Sequence, residues 1–224
     1  MTLKNLIAPI FLAALASCSA GIPSALDEEN FGRFWTVESE SPDYSVSFPE
    51  DGCCEIVSPK GLTLWRNENL QAPLTIEYDA RVMKETQEDR LSDLNCFWMA
   101  SDPRAADIWE NMQQRGGVFA NCASLQLYYV GYGGNYNTTT RFRRYDGNPG
   151  PPILQEYSDP EHLLEANRWY HIKLECDANG AVRYTIDADT IFEWTDPEPL
   201  VQGRFGFRTT LSRTQIKNFK YITR

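Results

Sequence analysis

The sequence has few basic residues and no long apolar run, and each shortage excludes a class of protein. It contains 21 Lys and Arg residues and 31 Asp and Glu residues, which gives a formal net charge of −10. Such an acidic chain is a poor nucleic-acid binder, because phosphate contacts require a basic surface. The longest apolar run, residues 6–16, is roughly half of the ~20 residues that a membrane-spanning helix needs. We therefore predict neither a nucleic-acid partner nor a transmembrane anchor.

The cysteines also lack a metal-binding pattern. The chain has six, but no Cys-x-x-Cys pair and no His/Cys spacing typical of zinc sites, so we predict no structural metal. Once Cys18 is assigned to the lipid, as argued next, an odd number remains. Cys96 and Cys176 lie inside apolar strand patterns, and we expect them to be small buried side chains.

The N-terminus has the layout of an exported lipoprotein. Lys4 precedes the apolar run, and Ser17-Cys18 ends a zone of small residues, as in a signal peptide. Residues 15–18, Leu-Ala-Ser-Cys, resemble the lipobox of bacterial lipoproteins, in which the cysteine becomes the acylated first residue. We predict a signal peptide over 1–17, lipidation of Cys18, a tether over 18–30, and attachment to a bacterial cell envelope through the lipid alone, at the outer membrane or cell surface. An ordinary secretory signal with a chance cysteine is the alternative.

The rest of the chain has the rhythm of a β-sandwich. Segments of about 6–10 residues, rich in β-branched and aromatic side chains, alternate with Gly, Pro, Asn and Asp. They predict one domain over 31–224. Asn179-Gly180 is a hairpin turn, and 102–114 is the one segment with a helical pattern. The predicted strands cover 44–48, 54–58, 62–65, 74–82, 94–100, 125–131, 138–145, 169–176, 182–187, 191–194, 203–208 and 216–222.

The C-terminal third resembles a known fold. Segments 167–174, 203–208 and 217–222, with the Asn179-Gly180 hairpin, are similar to the closing strands of concanavalin A-like lectin/glucanase domains. These include laminin-G-like modules and secreted jelly-roll domains of bacterial glycan-degradation systems. The resemblance implies an all-β fold, a two-sheet antiparallel β-sandwich of the jelly-roll kind. It specifies the fold and not the activity.

The middle of the chain resembles the same group of proteins less specifically. Segments 90–99 and 132–145 are similar to a little-characterised family of such secreted domains. In this fold class the open side of one sheet commonly holds an extended sugar chain, so the outward side chains of the middle strands are the candidates for a site.

Alternation along 138–145 places Arg141, Arg143 and Tyr145 on one side of a strand and Phe142 on the core side. Two guanidinium groups side by side in an acidic protein can hold a carboxylate through paired hydrogen bonds. The ligand class that this row indicates is a uronic acid. The alternative is a solvated strand face whose arginines pair with nearby Asp or Glu.

The preceding loop, 132–137, offers surfaces for sugar rings. Its tyrosines supply flat faces, its asparagines supply partners for hydroxyl groups, and its glycines allow close approach of the backbone. Trp98 is a further candidate for which core packing is the alternative, and His162 lies in a loop expected at the groove edge. The candidate substrate-binding set is Tyr136, Asn135, Asn137, Trp98 and His162.

Two reactions follow from this layout. Hydrolysis of a glycosidic bond normally needs two carboxyl groups, and no Glu-x-Asp-x-x-Glu cluster is present, so retaining hydrolysis is disfavoured. β-Elimination at a uronate needs a group that neutralises the carboxylate, a base and an acid. Jelly-roll polysaccharide lyases, which this layout resembles, use Arg, Asn or Gln for the first role and His or Tyr for the others. The candidates for neutralisation are Arg141, Arg143 and Asn95, and the candidates for proton transfer are Tyr145, Tyr132 and Tyr136.

The sequence therefore predicts a carbohydrate-active domain that acts on an acidic, uronic-acid-containing polysaccharide or oligosaccharide, with β-elimination as the leading reaction. A non-catalytic surface carbohydrate-binding module and a hydrolase or eliminase of a modified disaccharide are the alternatives. We predict no cofactor from the residues. Calcium stays open, because sandwiches of this type often carry it although no concentrated Asp/Asn ligand loop is present.

Overall fold

The β-rich pattern forms a sandwich of antiparallel strands in the computed structural model, which describes Ile22–Pro23 and residues 26–223. The predicted all-β jelly-roll class is confirmed. Cys18 and the predicted signal peptide lie outside the described residues. The strands are β1 (Ile22–Pro23), β2 (Trp35–Ser39), β3 (Ser45–Glu50), β4 (Cys53–Arg66), β5 (Leu70–Gln71), β6 (Leu74–Met83), β7 (Leu94–Ser101), β8 (Gln126–Gly133), β9 (Thr139–Asp146), β10 (Ile153–Tyr157), β11 (Tyr170–Cys176), β12 (Ala181–Ile186), β13 (Asp189–Thr195) and β14 (Gln202–Thr223).

Two long strands connect the layers of the sandwich. The hydrogen-bonded series β10-β9-β8-β7-β14-β6-β11-β12-β13 doubles back on itself at β14. Residues 204–208 of β14 pair with β7, whereas residues 213–223 pair with β6. The turn from one layer to the other falls at Leu211, where the backbone has a φ of 52° and the register shifts.

We call the two layers front and back. The front layer contains β10, β9, β8, β7, the first half of β14, the second half of β4 and β2. The back layer contains β13, β12, β11, β6, the second half of β14, the first half of β4 and β3. Sequence patterning predicts four separate strands where β4 and β14 run, because Pro59 and Gly61 in β4 and the polar stretch after Arg208 in β14 are typical of turns.

The core lies between the layers and follows from the period-2 alternation of each strand. In β7, Cys96 and Trp98 point into this core, whereas Asn95 and Phe97 point to the outer face of the front layer. Aromatic rings join the layers: the ring centroids of Phe142 in the front layer and Phe192 in the back layer are 5.8 Å apart.

The outer face of the front layer is partly covered by residues 102–124, which we call the covering segment. It contains short helical turns at Ile108–Asn111, Met112–Arg115 and Phe119–Ser124, so the predicted helix over 102–114 is confirmed only in its second half. The covering segment buries a second apolar cluster against the sheet. Its members are Trp65, Phe97, Ala100, Ile108, Cys122, Leu125, Leu127, Tyr129 and Tyr145.

The remaining helical turns are Phe31–Phe34, Gly134–Asn137 and Pro160–His162. Within the predicted tether, Ile22–Pro23 pairs with β14 and Leu26 is buried in the core, so the chain contacts the sandwich before residue 31. No helix within the described part of the chain is long and apolar enough to cross a membrane. All five cysteines that the structure describes are buried and unpaired, as expected for Cys96 and Cys176.

Candidate functional site

A pocket of about 300 Å³ opens on the outer face of the front layer, beside the covering segment. Its floor is a row of residues that pair across four neighbouring strands: Arg208 of β14, Asn95 of β7, Gly131 of β8 and Arg141 of β9. Because paired strands lie about 4.8 Å apart, this row is about 14 Å long. We call it the floor row.

A second row and two walls complete the pocket. Tyr129 and Arg143 pair with each other in the next outward-facing register position along the strands. Phe119 of the covering segment forms one wall, and Arg90 and Asn135, from the loops at the strand ends, form the other. The pocket therefore combines guanidinium groups with two aromatic side chains and two amides.

Strand alternation explains why these side chains meet. Phe142 points into the core, so its neighbours Arg141 and Arg143 point outward. The same rule holds in β14, where Phe207 is in the core and Arg208 is on the outer face. The antiparallel register then brings the arginines of β9 and β14 to opposite ends of one row.

Two of the pocket arginines are paired with carboxylates. Arg90 Nη1 lies 3.0 Å from Asp93 Oδ2, and both side chains are mostly buried. Arg141 forms an ion pair with Glu156 of β10, at the exposed rim of the pocket. The Arg141–Glu156 pair is what the alternative from the sequence predicted, a solvated strand face whose arginines pair with nearby acids. It nevertheless lies beside a cavity, because Arg141 also lines the pocket.

The other two arginines have no carboxylate within 4 Å among the described residues. Arg143 donates to the carbonyl oxygen of Pro151. Arg208 is only 2% exposed, and its Nη1 donates to the carbonyl oxygen of Gly117 at 2.6 Å and to Thr63 Oγ1 at 3.3 Å. A buried charge that is not balanced by an opposite charge is costly. The pocket is therefore suited to an anion.

Asn95 adds a free acceptor to the floor row. It is 7% exposed, and its Nδ2 donates to Asp93 Oδ1 at 3.2 Å, which fixes the orientation of the amide. Its Oδ1 is buried without a hydrogen-bond partner within the described part of the chain. A sugar hydroxyl in the pocket can satisfy this oxygen, since a hydroxyl is a donor as well as an acceptor.

Tyr129 is the tyrosine of the pocket. Burial raises the pKa of its phenol well above the ordinary value of 10, although the nearby guanidinium groups of Arg208 and Arg143 act in the opposite direction. The phenol is therefore protonated at neutral pH in the free protein and can donate a hydrogen bond to a ligand.

A buried polar network holds the covering segment over the sheet. Glu38 of β2 accepts hydrogen bonds from Arg115 Nη2 at 2.8 Å, from Trp65 Nε1 at 2.9 Å and from the backbone N–H of Gly117 at 3.3 Å. Because Gly117 in turn accepts from Arg208, this carboxylate supports the position of a pocket guanidinium through the covering segment.

Four of the predicted site residues lie together in this pocket: Arg141, Arg143, Asn95 and Asn135. Tyr145 is on the predicted face but is 3% exposed, because the covering segment buries it, so its expected place in an open row with the arginines is corrected. Trp98 and Tyr132 are also corrected: both point into the core between the layers, where they cannot reach a sugar.

Three further predicted residues, Tyr136, Asn137 and His162, do not line the pocket. Tyr136 is 70% exposed, and its ring centroid is 4.3 Å from the guanidinium carbon of Arg90, which is a pocket residue. Asn137 is engaged with the backbone of Leu164, to which it donates at 2.9 Å. His162 stacks on Tyr157 with ring centroids 3.9 Å apart.

His162 also has its Nδ1 2.7 Å from Asp159 Oδ1, and this hydrogen bond lowers the pKa of that carboxyl group. His171 lies on the back layer, with its Nδ1 2.7 Å from Asp79 Oδ1. Neither histidine of the chain lines the pocket.

Arg208 and Arg90 are pocket residues that the sequence-based prediction missed. The alternation of 203–208, with Phe205 and Phe207 on the core side, places Arg208 on the same kind of outward face as Arg141. The missing information is that β14 lies beside β7, which the local pattern does not contain. No group of three or more His, Cys, Asp or Glu side chains within the described ranges is arranged to hold a metal ion.

Comparison with known proteins agrees with the fold. A family model described as "Domain of unknown function (DUF6250)" matches residues 56–219. A solved protein of unknown function with a galectin-like fold from Bacillus subtilis is similar, with a TM-score of 0.70 and 18% identity over 89% of this chain and 94% of that chain. No curated protein matches the chain.

Two further solved structures share the architecture at lower identity. The carbohydrate binding module CBM66 from Bacillus subtilis has a TM-score of 0.57 and 14% identity, over 84% of this chain and 95% of that chain. The β-glucanase of Bacillus licheniformis has a TM-score of 0.55 and 11% identity, over 85% and 92%. At these identities the likeness demonstrates the fold alone.

Proposed function

The chain belongs to the DUF6250 family, and from the site that it builds we propose that it is a carbohydrate-active domain whose pocket binds an acidic, uronic-acid-containing glycan. The observation that carries this proposal is a pair of pocket arginines, Arg143 and Arg208, that have no carboxylate partner among the residues that the structure describes, one of them buried. In a chain of net charge −10, two unbalanced guanidinium groups in one cavity favour an anionic ligand.

The rest of the pocket suits a sugar acid better than a bare anion. Guanidinium groups bind carboxylates through paired, charge-assisted hydrogen bonds. The free Oδ1 of Asn95 and the phenol of Tyr129 can bind hydroxyl groups, and the ring of Phe119 is a flat surface for the apolar face of a sugar. Similar architectures in a carbohydrate binding module and a β-glucanase support a glycan as the ligand class.

Binding is the function that the geometry supports best. Hydrolysis normally requires two carboxyl groups across the scissile bond, and the pocket lining contains one, Asp93, which Arg90 holds in an ion pair. β-Elimination of a uronate is the second candidate, because the Tyr129 phenol lies in the pocket beside guanidinium groups that lower its pKa against the effect of burial.

Isothermal titration calorimetry with acidic and neutral polysaccharides tests the proposal. The panel contains polygalacturonate, alginate, hyaluronan and a neutral β-glucan. We expect binding to at least one acidic polymer, weakened by added salt, and none to the glucan. Replacing Arg143 by Met removes charge-assisted hydrogen bonds worth about 1.5–3 kcal/mol, so affinity falls about 10- to 100-fold.

Matched variants separate binding from folding. Arg208→Met keeps most of the apolar stem of the side chain, and its melting temperature is measured beside its affinity. Arg183→Met is the control, because Arg183 is exposed on the back layer and paired with Glu193. Binding that survives both Arg143→Met and Arg208→Met, or equal binding of neutral glucan, contradicts the proposal. β-Elimination would be supported if incubation with an acidic polysaccharide gave unsaturated products, detected by their ultraviolet absorbance, and if Tyr129→Phe gave none.

We also propose that the domain acts at the bacterial cell envelope, held there by a lipid on Cys18. The support is the sequence pattern of residues 1–18, which lie outside the described residues. A tethered domain of this kind would capture or process polysaccharide at the cell surface.

A further inference from the structure

The floor row is closed at its β14 end. There the covering segment meets the front layer: the carbonyl oxygen of Gly117 accepts a hydrogen bond from Arg208, and the Gly117 backbone packs against β2. A Cβ atom on Gly117 would lie 2.7 Å from Cα of Ser39, and a Cβ atom on Gly61 of β4 would lie 2.6 Å from the carbonyl oxygen of Gly117. These close contacts leave no passage from the pocket toward β4 and β2.

The other end of the floor row is open. Beyond Arg141 the sheet ends at the edge strand β10, whose Glu156 pairs with Arg141 in the register. The side chains of Arg141 and Glu156 are 32% and 37% exposed, whereas Arg208 at the closed end is 2% exposed. Charge balance also differs between the ends: the open end has an ion pair, and the closed end has a guanidinium group without a carboxylate of the described residues within 4 Å.

This arrangement deepens the proposed function and rests on it. We propose that the pocket takes the terminal acidic sugar of a glycan chain, with its carboxylate toward Arg208 and Arg143, while the rest of the chain leaves over the β10 edge. A site for an internal stretch of polysaccharide needs two open ends, and this pocket has one. Its volume of about 300 Å³ is at the lower limit for sites that enclose a drug-sized ligand, which suits one end of a chain.

The same geometry assigns a role to the Arg141–Glu156 pair. It lies where the second sugar of an entering chain would pass, and an exposed ion pair contributes little to stability. Its guanidinium group can therefore exchange Glu156 for a ligand carboxylate at small cost. The pair tunes affinity at the chain exit, whereas Arg208 and Arg143 select the terminal carboxylate.

Calorimetry over a length series tests the inference. Oligogalacturonides and alginate oligosaccharides, from the tetramer to the long polymer, are titrated into the intact domain. Recognition of a chain end gives one protein bound per chain at every length and an affinity per mole of chain that stays constant. The Arg143→Met variant should lose this binding at every length, and Arg183→Met should retain it.

Chain-end recognition would be overturned if the number of proteins bound per chain rose with chain length. If that binding were also lost in Arg143→Met, the acidic-glycan function would remain intact. No binding of either series or of hyaluronan by the wild-type domain would instead remove the proposed function, and the chain-end inference with it. The two failures are thus distinguished by stoichiometry in one experiment.

Discussion

The buried ion pair between Glu38 and Arg115 gives a sharp prediction about how the pocket is held together. The two side chains are 2% and 1% exposed, and Glu38 Oε2 lies 2.8 Å from Arg115 Nη2. The same carboxylate accepts from Trp65 Nε1 and from the N–H of Gly117. The perturbation is Glu38→Gln, which keeps the shape of the side chain and removes its charge.

The magnitude follows from what the substitution leaves behind. Loss of the Glu38 charge leaves the buried Arg115 guanidinium group with one carboxylate, Asp102, whose Oδ2 lies 3.8 Å from Arg115 Nη1. Breaking a buried pair in this way costs up to about 3–5 kcal/mol of unfolding free energy. Since each kcal/mol shifts the melting temperature of a domain of this size by about 2–4 °C, we expect a fall of about 10 °C. Glu193→Gln, in an exposed pair with Arg183, should change stability by less than about 1 kcal/mol.

Urea denaturation of four proteins provides the assay: wild type, Glu38→Gln, Arg115→Met and the double variant. Removing both partners leaves neither of their two charges buried without its partner. The loss of unfolding free energy in the double variant should therefore be smaller than the sum of the two single losses, by at least about 1 kcal/mol. Additive losses, or a Glu38→Gln effect no larger than that of Glu193→Gln, would refute the reasoning that this pair anchors the covering segment.

Two other predictions concern a carboxylate and the N-terminus. The hydrogen bond from Arg104 lowers the pKa of Asp102 from 3.8 to about 2. The ionised carboxylate therefore contributes about 2 kcal/mol to the free energy of unfolding above pH 4, and this contribution is lost as pH falls toward 2. The difference in unfolding free energy between wild type and Asp102→Asn, measured by urea denaturation, should therefore narrow as pH falls below 4. A difference that does not change with pH would contradict this prediction. Cys18→Ser should abolish labelling by radioactive palmitate in a bacterial host, and retained label would identify another anchor.

Local patterning was enough to predict which face of β9 each side chain takes. The period-2 rule correctly placed Phe142 in the core and the adjacent arginines outside it, and it applies equally to Phe207 and Arg208. It also predicted the hairpin at Asn179-Gly180, where Gly180 has a φ of 93° that suits glycine. These features depend on neighbours in the chain and are therefore readable from sequence.

Features that depend on distant contacts were not predictable in the same way. Tyr145 has an outward-facing position, but the covering segment, more than 20 residues earlier in the chain, buries it. Strands β4 and β14 each continue through a stretch that resembles a turn, because they pass from one layer to the other there. The pocket itself depends on the pairing of β14 with β7, so Arg208 could not be grouped with Arg141 from the sequence.

The most direct test of the central claim is a crystal structure of the domain with a bound acidic oligosaccharide. We predict a terminal carboxylate whose oxygens lie about 3 Å from guanidinium nitrogens of Arg143 or Arg208, with the chain leaving across β10. An oligosaccharide bound on the back layer, or one that presents only neutral hydroxyl groups to these arginines, would contradict the claim.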